Sequence, residues 1–169
     1  VRRSCVQILE RTAVVEDTDD FLARLAELRD EHGVVVQAFD ARYVVSRLHV
    51  EEAVKKARRS FDRGENVADT VSMEVLLYAA GTRQIDVATR AGLRRGEHDA
   101  VFVVDGEGDE EDAADSVREM TYEPEGFVYG DEPRLLDFFG LTDEEVGAVG
   151  RDRLEGLVLE RVALLDVNK

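Results

Sequence analysis

Three histidines, one cysteine and a run of alternating acids are the side chains here best suited to bind a metal, attack a carbon or shape a phosphate loop. His32, His49 and His98 show no H-x3-H or H-E-x-x-H spacing, the pattern that brings two ring nitrogens to one metal ion. Cys5 stands alone, so an intrachain disulfide or a cysteine-based zinc site is impossible, and no cysteine–histidine pairing or G-x-S-x-G turn occurs. Asp105-Gly106-Glu107-Gly108-Asp109 alternates carboxylates as the start of a calcium loop does. Its sixth position is Glu110 where glycine is needed, and its twelfth is Ser116 where glutamate is needed. The same run follows an apolar strand and could be a shortened phosphate loop, but its acids would repel phosphate. It reads as a solvated acidic loop. No metal, cofactor or catalytic residue is expected, and the alternative is a small soluble α/β enzyme using the acids near Gly106–Asp109.

Charge says more than motifs do. The chain has 169 residues, 38 acidic and 22 basic, for a net charge of −16. Only Lys55, Lys56 and Lys169 are lysines; the other basic residues are arginine. With 44% hydrophobic residues the acidity belongs to a globular protein, and such a surface suits a salt-rich cytoplasm where self-repulsion is screened. The acids are unevenly spread. Residues 42–95 hold 11 basic and 7 acidic side chains, net +4, while residues 96–169 hold 6 and 22. The net-basic stretch carries Lys55, Lys56, Arg58, Arg59 and Arg63, then Arg83, Arg90, Arg94 and Arg95. Such a stretch is either a solvated helix face or a surface for an anion such as RNA.

These residues need elements to hold them. Alternation predicts a strand over Ser4–Val14, and short apolar runs predict three more at Val34–Val36, Tyr43–Val45 and Val101–Val104. Thr18 and Ser46 are expected to cap helices, and Gly33, Gly81, Gly92 and Gly140 to end them. A central helix is expected near Asp69–Ala80, where nearly every position is apolar. Weaker patterns predict helices over Asp109–Met120, from Pro133, from Thr142-Asp143-Glu144-Glu145 as a capping box, and from about Arg151. The fold class is α/β (α+β mixed), a single domain over residues 1–169, with about four strands in a small mixed sheet and about seven helices. The longest uncharged run, Val75–Thr82, cannot span a membrane, and charges interrupt the first residues where a signal segment would lie. A soluble, cytoplasmic protein is expected.

The middle of the chain resembles a known family. The run Ser46-Arg47-Leu48-His49-Val50-Glu51-Glu52-Ala53-Val54-Lys55-Lys56-Ala57 has the His-Val-x-x-Ala pattern of the kinase-binding accessory subunit of the KEOPS complex. Ser72-Met73-Glu74-Val75-Leu76-Leu77, then Gly81-Thr82-Arg83-Gln84-Ile85 and Ala88, continue the likeness, which is best over residues 34–104. Leu159–Leu165 is similar to the family's last helix, whereas residues 105–150 agree only in the order of elements.

The resemblance implies a non-catalytic protein of halophilic archaeal type. KEOPS installs threonylcarbamoyladenosine in tRNA; the transferase subunit does the chemistry, supported by a small atypical kinase acting as an ATPase. The subunit resembled here docks on that kinase, stimulates it, and recruits tRNA through its 3′ CCA end. For tRNA the candidates are Lys55, Lys56, Arg58, Arg59, Arg83, Arg90, Arg94 and Arg95, with Tyr43, Phe61 and Tyr78 the nearby aromatics. For the kinase they are Leu154, Leu157, Val158, Val162, Leu164 and Leu165 on the last helix. His49 and Glu74 match motif positions and are expected to anchor local structure.

Overall fold

The computed structural model describes residues 6–149 and 153–167. In chain order its first elements are β1 (Gln7–Val15), α1 (Thr18–His32), β2 (Val35–Asp40), α2 (Arg47–Asp62) and α3 (Val71–Ala80). Then come α4 (Ile85–Ala88), β3 (Gly96–Asp105), α5 (Glu110–Glu119), α6 (Glu132–Phe139), α7 (Asp143–Val149) and α8 (Leu154–Val167). The fold is mixed α/β, with three strands and eight helices among the described residues. The chain divides into two compact units, Val1–Asp40 with Gly92–Phe127, and Ala41–Ala91 with Val128–Lys169.

The first unit is a three-stranded antiparallel sheet in the order β1-β3-β2. The central place of β3 follows from Ala100-Val101-Phe102-Val103-Val104, a continuous apolar run with every residue buried. On one face Leu9, Ala13, Val15, Val36, Ala38, Phe102 and Val104 pack with Leu25 and Leu28 of α1 and Ala113, Ala114 and Val117 of α5. Asp17 caps α1, one residue earlier than expected, accepting a hydrogen bond from the Asp20 N–H at 2.9 Å.

The acidic loop 105–109 has a packing role. A Cβ at Gly108 would lie 2.6 Å from the His32 carbonyl oxygen, and one at Gly106 would lie 3.0 Å from the Val34 side chain. The two glycines let the loop pass close to the end of α1, and Asp105 itself is fully buried.

The second unit is helical. Ser46 caps α2, whose Val50, Ala53, Val54 and Ala57 are buried at helical spacing. The central helix is α3, capped by Thr70 and buried from Val75 through Ala80. Leu135, Phe139, Leu141 and Val158 form a core cluster with Val45, Leu136, Phe138, Leu154 and Leu157 against it. Thr142 and Glu145 form the expected capping box, with reciprocal hydrogen bonds of 2.9 and 3.1 Å.

Three expectations are corrected. The sheet has three strands because Ala41–Tyr43 turns tightly instead of extending. The Ala41 and Arg42 carbonyls accept from the Gly130 and Asp131 N–H groups at 2.9 and 3.0 Å, so a loop meets part of the backbone demand that a sheet would otherwise meet. Phe39 and Asp40, read as a turn, belong to β2. Gly92 is not among the glycines in the left-handed region, whereas Gly33, Gly81 and Gly140 all end helices there. Ser4, Cys5, Arg151 and Lys169, on which other expectations rest, lie outside the described residues.

Candidate functional site

The cations of α2 divide by what already holds them. Lys55 is exposed beside Glu52 at 3.6 Å, and Arg59 is exposed. Arg58 is half-buried. Lys56 is drawn inward: its Nζ lies 3.3 Å from Asp166 of α8, a carboxylate that also accepts the Tyr78 hydroxyl hydrogen bond. That pairing ties α2 and α3 to α8 and leaves Lys56 less free for an anion.

The arginines after α3 differ in the same way. Arg90 lies 4.0 Å from Asp137 and 5.5 Å from the centre of the Phe138 ring. Arg83 is half-buried in the turn between α3 and α4, its Nε and Nη2 shielded from solvent. Arg94 and Arg95 are exposed but fall in the sheet unit, whereas the other six tRNA candidates fall in the helical unit. The aromatics offer little stacking surface. Tyr43 and Tyr78 are buried, with Tyr43 edge-on to Phe138 at 5.0 Å, and Phe61 is half-buried.

The motif histidine and glutamate are interior anchors. His49 Nδ1 accepts from the Val45 N–H at 3.2 Å, so the ring proton sits on Nε2 and is donated to the Ala79 carbonyl at 2.7 Å. Burial pushes the His49 pKa down to about 4, outweighing the opposing pull of that carbonyl and of Glu155. Glu74, also buried, accepts from Ser60 Oγ at 3.1 Å and from the Ala68 N–H at 2.8 Å, with Val67 at 3.2 Å. Its carboxylate thereby holds the loop between α2 and α3.

The last helix turns most of its apolar stripe inward. Val158, Val162 and Leu165 are buried and Leu154 and Leu157 half-buried, so five of the six kinase candidates contribute to this unit's own packing. Leu164 is the outward one at 37% exposure, followed by Val167 at 75%. Among the described residues no group of three or more His, Cys, Asp and Glu is arranged to hold a metal ion. No described helix is long and apolar enough to cross a membrane.

One buried network had escaped the sequence reading. Arg11, on the inward face of β1, donates to Thr121 Oγ1 at 2.8 Å, Glu123 at 2.9 Å and the Arg118 carbonyl at 3.2 Å. Its signal was an arginine at a core position between Leu9 and Ala13 in the period-two pattern.

The family model described as kinase binding protein CGI-121 matches residues 14–166. The chain belongs to the CGI-121 family. A search of curated proteins found no match. The CGI-121 match runs unbroken through the acidic loop and α6–α8, where residue-by-residue likeness was thin, and reaches Asp166. A kinase is therefore the partner class for this protein, in an accessory role.

Proposed function

We propose that this CGI-121 protein is the non-catalytic accessory subunit of a KEOPS complex for threonylcarbamoyladenosine modification of tRNA, working in a salt-rich archaeal cytoplasm. Its 169 residues act as one kinase-binding domain. It docks on the small atypical kinase, stimulates its ATPase activity and recruits tRNA by the 3′ CCA end, meeting the transferase subunit only indirectly. The family match over residues 14–166 carries the reading. The inward packing of Val158 and Val162 narrows the kinase-facing part of α8 to Leu164 and its exposed neighbours. The inward pairing of Lys56 likewise shifts the RNA role toward Lys55, Arg58, Arg59 and Arg83.

Co-expression with the cognate small kinase at high salt tests the first half. A stable pair with raised ATP hydrolysis is expected, and Leu164→Glu should fold yet lose the kinase. Retention of the kinase by Leu164→Glu removes that face from the interface, and failure of the wild type to pair removes the reading. For RNA, glutamate at Arg58, Arg59 and Arg83 together should abolish a tRNA gel shift. Unchanged affinity sinks that assignment.

A further inference from the structure

Arg83 is the one arginine among the described residues with nitrogens out of contact with solvent and no hydrogen-bond partner. The two nitrogens are Nε and Nη2, whose N–H groups form one edge of the guanidinium. That edge is the one that meets two oxygens of an oxyanion side-on, through parallel hydrogen bonds. An arginine cannot escape burial by shedding its proton, because its pKa lies far above any physiological pH. A buried donor pair of this kind calls for an acceptor.

The chain has had ample opportunity to supply one. It carries 38 carboxylates. They answer its other cations: Glu52 meets Lys55, Asp166 meets Lys56, Asp137 meets Arg90 and Asp131 meets Arg134. None meets the Arg83 edge.

The backbone beneath Arg83 is fixed in place. Gly81 is left-handed at φ 64° and donates to the Tyr78 carbonyl at 3.1 Å, while the Thr82 N–H reaches the Leu77 carbonyl at 3.2 Å. The Gln84 N–H closes onto Thr82 Oγ1 at 3.1 Å. A Cβ at Gly81 would sit 3.4 Å from the Arg161 carbonyl oxygen, so α8 backs the turn. The side chain is thus presented from a turn bonded on both sides, which lowers the ordering cost of capturing a ligand.

We propose that the Nε–Nη2 edge of Arg83 is a phosphate-binding site, taking two oxygens of one phosphate group. A phosphate suits the edge because its oxygens match the guanidinium fork and its remaining oxygens stay free for solvent or a second cation. The residues from 42 to 95 are the net-basic part of the chain, where a dianion or phosphodiester meets the least repulsion. The group can belong to a nucleotide, to free phosphate or to an RNA backbone. The chemistry at Arg83 is the same in each case.

The test follows the Arg83 Nε–H signal by nitrogen-15 NMR in the full chain at constant chloride, assigned by its loss in Arg83→Lys. Inorganic phosphate, ADP, a short single-stranded RNA ending in CCA, and acetate are titrated separately. At least one phosphate-bearing ligand should move the signal saturably, and acetate should not. The ligand that binds tightest names the source: ADP or free phosphate with a silent RNA would uphold the site while removing the RNA reading above. Arg83→Lys keeps the charge but loses the fork, and should bind at least about tenfold more weakly. A still signal with all three phosphate ligands overturns the proposal, as does an equal response to acetate. Phosphate affinity within twofold of wild type in Arg83→Lys overturns it too.

Discussion

His49 shows how a residue that looks functional by type can be structural by placement. Both ring nitrogens are occupied by backbone, Val45 N–H on one side and the Ala79 carbonyl on the other, and Phe139 meets the ring edge-on at 5.7 Å. Burial holds the pKa near 4, below the ordinary 6.5. Above pH 6.5 the ring is neutral folded or unfolded, so it adds no pH dependence. As pH falls from 6.5 toward 4 the unfolded chain takes the proton first, and stability is lost across that window. At pH 4.5 the loss from this one group is about 2 kcal/mol. Unfolding free energies of wild type and His49→Gln, measured at pH 7 and pH 4.5, isolate it from carboxylate titration. Wild type should lose about 2 kcal/mol more than the variant between the two pH values. Equal losses would mean that His49 is not held neutral by the fold.

At the scale of elements, what the sequence made legible was local chemistry. Ser46, Thr142 with Glu145, and the glycines at 33, 81 and 140 act where expected, because a cap or a left-handed stop is decided within a few residues. The continuous apolar character of α3 and of β3 correctly announced burial on all sides. The misreadings have a common cause in partners distant along the chain. Tyr43-Val44-Val45 has the composition of a strand, yet the neighbouring carbonyls of residues 41 and 42 find their donors at Gly130 and Asp131. Likewise α8 carries apolar residues on more than one side, and only the packing of Val158 beside Leu135 and Phe139 shows which of them face inward. Among the cations, the sequence gave no means to separate Lys56, which Asp166 takes up 110 positions later, from Lys55. The candidate site was legible as a segment and not as a set of side chains.

The net charge belongs to the molecule as a whole, and its consequence can be measured. A formal charge of −16 over 169 residues makes the folded chain repel itself, while unfolding moves the acids apart. Internal pairing relieves little of this, since ion pairs such as Arg24–Glu27 and Arg118–Asp115 are exposed and each adds at most about 1 kcal/mol. Added salt should therefore stabilise the fold over the range in which it shortens the screening length from about 10 Å at 0.1 M to about 3 Å at 1 M. If the repulsion removed is about 2 kcal/mol, a chain of this size gains roughly 4–8 °C in thermal midpoint. Melting curves in potassium chloride from 0.1 M to above 1 M check this, with the chloride of a neutral-surfaced control protein melted alongside. A rise that levels off near 1 M is the signature of screening. A midpoint that falls, or that tracks the control, would show that the acids do not repel one another enough to matter. The same screening bears on ligand capture, because bulk attraction of a phosphate fades steeply in that salt range. What survives is contact chemistry at short range, which the bidentate edge of a guanidinium supplies better than an ammonium does. A chain that holds three lysines among 22 basic residues, in a solvent that mutes long-range charge, is consistent with that division of labour.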